Sequence, residues 1–262
     1  MYNSDHPKLL RNTTPIQDPE VISFVKATDT NNFLFNALQN LELKDTFLNE
    51  YFNWVQSSKL NNLKGLNFFK NLSYVHGTSQ TFDAFYAENK NRRFRCFKGD
   101  FFYHSISWRN NYTYSFIDEE KLQPNDAVVI SVPFSDNGYI HPDTQEILET
   151  CNKLEIPVLI DLAYYNLARG IDFNLDEPCI STITFSLSKG FSLLDRLRIG
   201  MRCKRDFNDD PVDVFNSFDM FNKVGAALGL EIIKNFSPDH NQNKFYEKQK
   251  DVCSKFKFEQ SN

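Results

Sequence analysis

The stretch ISTITFSLSKGF (residues 180–191) decides the fold, because a short apolar run typical of a buried strand is closely followed by a lysine. The apolar run covers residues 180–186, and Lys189 lies just beyond it. Burial disfavours an ammonium, so such a position lowers the pKa of the lysine towards that of a nucleophilic amine. A neutral lysine amine can condense with an aldehyde. The competing interpretation of this stretch alone is a strand that ends in a surface Ser-Lys pair.

Further apolar runs at residues 127–133, 157–163 and 197–203 predict the neighbouring strands. Between the first two, apolar residues recur at helical spacing from Ile147 to Leu154, with Asp143 placed as the N-cap. Strands that alternate with helices are typical of a mostly parallel sheet covered on both faces. The sequence therefore predicts an α/β fold, a three-layer α/β/α sandwich around a mostly parallel sheet.

The chain is predicted to divide into a helical N-terminal segment, residues 1–60, and a large domain, residues 61–262. The first segment contains three helical patterns joined by polar loops. The large domain ends in a long helix predicted over residues 242–256. No internal repeat or convincing linker divides it further.

Composition and charge argue against several classes of partner. A formal net charge of −5 provides no basic field for a nucleic-acid backbone, so we expect no nucleic-acid partner. No apolar run is long enough to cross a bilayer, and the first residues lack the pattern of a signal peptide, so we expect no membrane partner. Five widely spaced cysteines, an odd number, are typical of reduced thiols and predict a cytoplasmic protein.

Two further elements carry candidate chemistry. Asp161 ends the apolar run at residues 157–163, at the sheet edge where ligand groups lie, and its carboxylate can hold a pyridinium nitrogen protonated. Tyr164 follows three residues later. Upstream, Gly77-Thr78-Ser79 precedes a helical pattern, where free backbone N–H groups favour a phosphate. The competing structural interpretation of Asp161 and Tyr164 is a helix-capping Asp followed by a core Tyr. For Gly77-Thr78-Ser79 it is an ordinary capping turn.

The order of these motifs resembles the class I/II aminotransferases of the fold-type-I pyridoxal-phosphate (PLP) enzymes. Five segments carry the resemblance: Gly77-Thr78, Ser107-Trp108-Arg109-Asn110, residues 133–138, Asp161-Leu162-Ala163-Tyr164, and Ser186-Leu187-Ser188-Lys189 with Arg198-Ile199-Gly200. The resemblance implies that residues 61–262 form the PLP-binding large domain of this fold.

The resemblance also implies roles for individual residues. Lys189 would hold PLP as a Schiff base, Asp161 would pair with the pyridine nitrogen, and Tyr164 would contact the phenolic oxygen. Trp108 would stack on the ring, with Tyr103 as the alternative. The other cofactor-binding residues would be Gly77, Thr78, Ser79, Ser135, Ser186, Ser188 and Arg198. We expect no metal.

The sequence departs from the family pattern at three places. Ser135 stands where the family has an asparagine, with Asn137 as an alternative. Arg196 competes with Arg198 for the phosphate. The small C-terminal domain, whose arginine grips the substrate carboxylate in the family, has no counterpart, so we expect a short form of the family that lacks this domain.

These features predict a PLP-dependent aminotransferase-like enzyme acting on an amino acid or related amine through Lys189, as a homodimer. One alternative is a PLP-binding relative without catalytic activity and with a regulatory or assembly role. Another is a PLP-dependent lyase, decarboxylase or racemase, because the lysine and the ring serve all these reactions. A plain α/β domain without a cofactor is the third.

Overall fold

The computed structural model describes residues 16–105, 112–191 and 194–262, and two sheets run through them. The strands are β1 (Asn62–Lys64), β2 (Asn71–Val75), β3 (Arg93–Cys96), β4 (Tyr114–Phe116), β5 (Asp126–Ser131), β6 (Val158–Leu162), β7 (Asp172–Asn174), β8 (Ile180–Ser186) and β9 (Gly200–Lys204). The larger sheet has the order β2-β9-β8-β6-β5-β3-β4, and β1 pairs with β7 separately. Strands β8, β6, β5, β3 and β4 run parallel, while β9 is antiparallel to both of its neighbours.

Helices of varied length connect these strands. They are α1 (Pro19–Ala27), α2 (Thr30–Gln39), α3 (Leu43–Gln56), α4 (Thr78–Glu88), α5 (Phe102–Ser105), α6 (Thr144–Leu154), α7 (Pro211–Ser217), α8 (Lys223–Asn235) and α9 (His240–Phe256). Short 3₁₀ turns lie at Leu66–Phe68, Tyr165–Leu167 and Leu194–Arg196. None of the helices in the described residues combines the length and apolar character that crossing a membrane requires.

Alternate residues of the central strands face two separate apolar clusters, which makes the fold a three-layer sandwich. On β5, Val128 and Ile130 pack with residues of α3, α6 and α8, whereas Ala127 and Val129 pack with the aromatic face of α4. Because successive side chains of a strand point to opposite faces, a strand covered on both sides is apolar at nearly every position. The predicted α/β/α sandwich with a mostly parallel sheet is confirmed.

The N-terminal helices pack on the same face as α8. Helix α3 buries Phe47, Tyr51 and Trp54 against this face, and the Trp54 indole Nε1 donates a hydrogen bond to the Phe236 carbonyl at 2.7 Å, at the end of α8. A buried indole N–H needs such an acceptor because leaving it unpaired is unfavourable. Helices α3 and α8 thereby form one apolar layer with the sheet.

Strand boundaries differ from the sequence prediction most clearly at β9. The apolar pattern predicted a strand over 197–203, but β9 begins only at Gly200. Arg198 has a positive φ of 54°, which breaks an extended strand and turns the chain. Strand β8 covers Ile180–Ser186, as its apolar run predicted. The N-cap of α6 is Asp143, although its side chain makes no capping hydrogen bond.

Candidate active site

A cavity lies at the carboxyl ends of β6 and β8, beside the start of α4. Open α/β sheets bind ligands at this edge, where strand ends and helix starts converge. Its lining residues are Thr78, Ser79, Phe101, Asp161, Ala163, Tyr164, Ser186, Lys189 and Arg198. The fold thus brings together residues from three of the five sequence segments that carry the resemblance.

The turn after β8 presents Lys189 to this cavity. Ser188 is 1% exposed, and its hydroxyl accepts a hydrogen bond from the Ile199 N–H at 3.0 Å, while its own N–H donates to the Ser186 hydroxyl at 3.1 Å. These hydrogen bonds connect the turn after β8 to Ile199, the residue before β9. Among the described residues, Ser186 lines the cavity and Ser188 does not, because the Ser188 hydroxyl is turned to Ile199.

Lys189 lies in an environment that lowers its pKa. Its Nζ is 5.5 Å from the centroid of the Tyr164 ring and 5.9 Å from that of the Phe101 ring. Burial lowers the pKa of Lys189, and the positive charge of Arg198 lowers it further, while Asp161 and Asp195 act in the opposite direction. A lowered pKa increases the share of nucleophilic amine near neutral pH.

The start of α4 and Arg198 form a cradle for an anion. Helix α4 begins after Gly77 without a side-chain cap, so its first N–H groups remain available. The Arg198 Nη2 donates to the Ser79 hydroxyl at 2.7 Å. Gly77 has a φ of +73°, and a Cβ there would lie 2.6 Å from Arg198 Nη2. Only glycine allows both this backbone conformation and the close approach of the guanidinium.

The structure separates the two arginines that the sequence left as alternatives. The Arg196 side chain is 85% exposed and pairs with its neighbour Asp195. Arg198, two residues later, lines the cavity. The difference arises from the positive φ of Arg198, which turns its side chain towards Gly77 and Ser79.

Asp161 lies near the carboxyl end of β6 and lines the cavity. The carboxylate is buried, and its Oδ1 accepts a hydrogen bond from the Ala163 N–H at 3.0 Å. The pKa of Asp161 is raised to about 7, because burial and, second, the nearby Asp100 carboxylate raise it more than the Ala163 N–H and Lys189 lower it. Near neutral pH, Asp161 therefore exists in both protonation states.

Asp100 and Phe101 are site residues that the sequence analysis missed. The Asp100 carboxylate accepts hydrogen bonds from the Ser131 N–H at 3.1 Å, the Ser131 hydroxyl at 2.5 Å and the Ser135 hydroxyl at 2.9 Å. It thus ties the loop that carries Phe101 to the end of β5. Both residues follow closely on β3, whose carboxyl end lies at the cavity edge of the sheet. Recognising β3 as a strand would have pointed to them.

Some predicted site residues fall outside the described part of the chain or do not line this cavity. Residues 107–110, with the proposed stacking residue Trp108, fall outside the described residues. The Tyr103 hydroxyl donates to Asp83 at 2.8 Å, and its ring lies nearly parallel to that of Phe101 with centroids 6.1 Å apart. Phe101, not Tyr103, is the described aromatic residue that lines the cavity at this position. Ser135 is exposed, binds Asp100, and lines a neighbouring cavity together with Asn137.

A separate cluster of possible metal ligands contains Asp18, Glu20 and His240. The Lys244 ammonium already donates to Asp18 and to Glu20, at 2.7 Å each. His240 lies 2.7 Å from the other oxygen of Asp18. The lysine thus provides the positive charge that the carboxylates need, and it places a cation between groups that would otherwise bind one.

No protein-family model matches the chain, and no curated protein matches it by sequence. Solved structures do. A structure of MppP soaked with the product 2-ketoarginine matches with a TM-score of 0.67 and 12% identity, over 92% of this chain and 73% of that chain. Histidinol-phosphate aminotransferase from Clostridium acetobutylicum matches with a TM-score of 0.64 and 12% identity, over 94% of this chain and 75% of that chain. Aromatic aminotransferase from Pyrococcus horikoshii OT3 matches with a TM-score of 0.64 and 11% identity, over 93% of this chain and 72% of that chain. The fold is that of the type-I aminotransferases.

The cavity of this type-I aminotransferase fold has the donors that PLP requires. The close approach of Gly77 to Arg198 leaves a cradle that a Cβ would fill, and the uncapped start of α4 adds N–H groups for a phosphate. Lys189 offers an amine with a lowered pKa, and Asp161 offers a buried carboxyl group for a ring nitrogen. The residues present therefore suit this cofactor chemically.

Proposed function

We propose that the protein is a PLP-dependent aminotransferase-like enzyme that acts on an amino acid or related amine. The observation that carries this proposal is the convergence of Lys189, Asp161 and Tyr164 with the cradle of Ser79 and Arg198 on one cavity. A lysine with a lowered pKa, a buried carboxyl group and an anion cradle in one cavity are together hard to explain by packing alone.

The residues that line the cavity would have different roles in holding PLP. Ser79, Arg198 and the start of α4 would hold the phosphate, Asp161 would face the ring nitrogen, and Tyr164 would donate to the phenolic oxygen. When bound, PLP supplies an aldehyde for amines and a ring that accepts electrons. Lys189 would hold the cofactor and, once released from it, move a proton as a general base.

Two aromatic rings border the lysine in this cavity. The centroids of the Tyr164 and Phe101 rings lie 5.5 and 5.9 Å from the Lys189 Nζ, and both residues line the cavity.

The test is covalent labelling. Purified protein is incubated with PLP, reduced with borohydride and digested, and the modified peptide is identified by mass spectrometry. We expect the label on Lys189, and complete loss of that label in Lys189→Ala because no other described lysine lines the cavity. Lys153→Ala, which removes an exposed lysine of α6, is the matched control and should label as wild type does. An unlabelled wild type, or a label confined to other lysines, would rule the proposal out.

A second candidate function is a PLP-binding protein without catalytic activity. Among the described residues that line this cavity or its neighbour, Arg198 is the only arginine, and its guanidinium already binds Ser79. A substrate carboxylate would therefore find no second guanidinium there.

Adding single amino acids and amines to the cofactor-loaded protein distinguishes the two candidate functions. Conversion of the absorption band to that of the pyridoxamine form supports transamination, and a band that no compound changes supports the second candidate. Analysis of products would reveal a lyase, decarboxylase or racemase.

We also propose that two copies of the chain associate through an apolar surface, here called the α2–α7 surface. Lys223 joins its two parts, because its Nζ binds the Asn40 carbonyl at the end of α2 and the Asp219 carboxylate beyond α7. Its exposed apolar residues are Leu34, Phe35, Leu38, Leu41, Phe215, Phe218 and Met220. Contiguous apolar surface of this kind is typical of a protein interface.

Light scattering tests this association. We expect a dimer for wild type, and a monomer for Phe218→Asp because a charge would be buried in the interface. Phe258→Asp changes a comparably exposed phenylalanine outside the α2–α7 surface and should remain dimeric. A monomeric wild type at working concentration would contradict the proposal.

A further inference from the structure

A second cavity of about 400 Å³ adjoins the one that contains Lys189. Tyr164 lines both cavities, so the two lie side by side. One wall of the second cavity consists of residues 133–138, which follow β5. The opposite wall consists of the first three turns of α9, from Asn241 to Gln249.

Two amide oxygens in this wall have no hydrogen-bond partner. The Asn241 Nδ2 donates to the Gly190 carbonyl at 2.8 Å, and the Gln242 Nε2 donates to the Leu167 carbonyl. These bonds fix which way each amide points and leave its oxygen as a free acceptor. Within the described chain, Asn241 Oδ1 and Gln242 Oε1 are both buried without a partner.

An unsatisfied buried acceptor is unfavourable and is usually explained by a missing donor. Asn241 and Gln242 are only 3% and 7% exposed, so water does not reach their oxygens, and a ligand reaches them only when the amide side chains shift towards the cavity. A ligand with N–H donors would satisfy both oxygens. The cavity therefore has the polarity of a site for a donor group.

The acceptors are directly connected to the turn that holds Lys189. Asn241 binds the carbonyl of Gly190, the residue next to Lys189. A Cβ on Gly190 would lie 2.2 Å from Asn166 Nδ2 and 3.1 Å from Asn241 Nδ2, so the crowding by Asn166 favours glycine here. A substrate whose amine reacts at Lys189 would thus have its far end near these oxygens.

The charge of the cavity favours a cation. Among the described lining residues, Asp136 is the only one with an acidic side chain, and lysine, arginine and histidine are absent. Phe134, Phe245 and Tyr246 add aromatic surface, which suits both the methylene stem and the charged end of a basic side chain. An anionic side chain would meet a carboxylate and unpaired oxygens.

We propose that this cavity binds the side chain of the amine substrate and selects one that ends in an ammonium or guanidinium group. This inference rests on the proposed function, since it names the substrate class for the same site. The amide oxygens of Asn241 and Gln242 accept its N–H groups, and Asp136 supplies the opposite charge.

The experiment measures binding by calorimetry to the protein without added cofactor. We expect L-arginine or L-lysine to bind at least tenfold more tightly than L-norleucine, and L-glutamate to bind most weakly.

Asp136→Asn should weaken arginine binding roughly three- to tenfold, because an exposed charge pair contributes modestly. Glu149→Gln removes an equally exposed carboxylate on α6, outside the cavity, and should change nothing. Gln242→Leu removes one acceptor and should weaken arginine binding by about tenfold.

Thermal unfolding of each variant shows whether it is folded. If Gln242→Leu does not fold, Asp136→Asn still tests the inference. Equal binding of arginine and norleucine, tighter binding of glutamate, or an unchanged arginine affinity in Asp136→Asn would overturn the inference.

A second arm separates this inference from the proposed function. Lys189→Ala should still bind arginine, because the oxygen atoms that accept its N–H groups belong to Asn241 and Gln242 and not to Lys189. If arginine binds wild type and Lys189→Ala alike but PLP labels neither, the proposed function fails and the cation pocket stands. If PLP labels Lys189 but arginine binds no better than norleucine, the enzyme proposal stands and the pocket assignment fails.

Discussion

The two cavities that meet at Tyr164 differ in how their polar groups are partnered. In the Lys189 cavity, polar groups bind one another, as Arg198 binds Ser79 and Asp161 binds the Ala163 N–H. In the neighbouring cavity, the oxygens of Asn241 and Gln242 lack partners. Internal contacts therefore hold the first site in shape before any ligand arrives, whereas the second site is completed only by a ligand. This division suits a tightly held cofactor beside an exchangeable substrate.

The largest expected effect concerns the anion cradle. Arg198→Gln should weaken PLP binding on the order of 100-fold, because it removes charge-assisted hydrogen bonds to the phosphate. Arg196→Gln should bind PLP as wild type does, since the Arg196 side chain is exposed. Titration followed by absorbance measures both affinities, and pyridoxal without a phosphate should not distinguish the variants. Equal losses for the two arginine variants would show that Arg198 does not hold the phosphate.

The next effect concerns Asp161 and pH. Its pKa in the folded chain is about 7, above the ordinary value of 3.8. Its contribution to the stability of the cofactor-free chain is thus fully present below about pH 4 and is lost as the pH rises through 7. Asp161→Asn does not titrate, so its stability relative to wild type should increase between pH 5 and pH 8 by on the order of 2 kcal/mol.

Urea unfolding of both proteins at the two pH values measures this difference. Asp126→Asn is unsuitable as a control, because Asp126 binds Arg95 and Arg93. Asp143→Asn, on an exposed carboxylate, should give a difference near zero. A pH-independent gain for Asp161→Asn would show that Asp161 ionises normally in the folded chain.

The smallest effect concerns the aromatic residue that would stack on the cofactor, for which Phe101 is the candidate because it lines the cavity. Phe101→Leu should weaken PLP binding about fivefold, because an aromatic pair contributes roughly 1 kcal/mol beyond the area it buries. Tyr103→Leu and Trp108→Leu test the two residues that the sequence suggested, and we expect smaller losses from both. Absorbance titration ranks the three variants, and a larger loss for Trp108→Leu would transfer the stacking role to that residue.

Much of the fold was predictable because its central strands are buried on both faces and contain few charged side chains. Strands β5 and β6 appear as nearly continuous apolar runs, and β8 combines isoleucine and phenylalanine with serine and threonine. Strand β3 escaped notice because its sequence, RFRC, contains two arginines. Arg95 is nevertheless 1% exposed, since its guanidinium binds the Asp126 carboxylate at 2.7 Å. A charge neutralised by a residue 31 positions away leaves no local pattern, and Asp100 and Phe101 were missed together with the strand.

By itself, the sequence determined that a buried strand leads to Lys189 and that Asp161 and Tyr164 follow another, because strand formation and burial depend on local apolar pattern. Tertiary structure alone decided which strand ends are neighbours, since the order β2-β9-β8-β6-β5-β3-β4 is set by packing between distant segments. It also decided that Arg198 and not Arg196 reaches the cavity, through one positive φ that no spacing reveals. The same packing left Asn241 and Gln242 with unpaired oxygens in the wall of the cavity next to the one that contains Lys189.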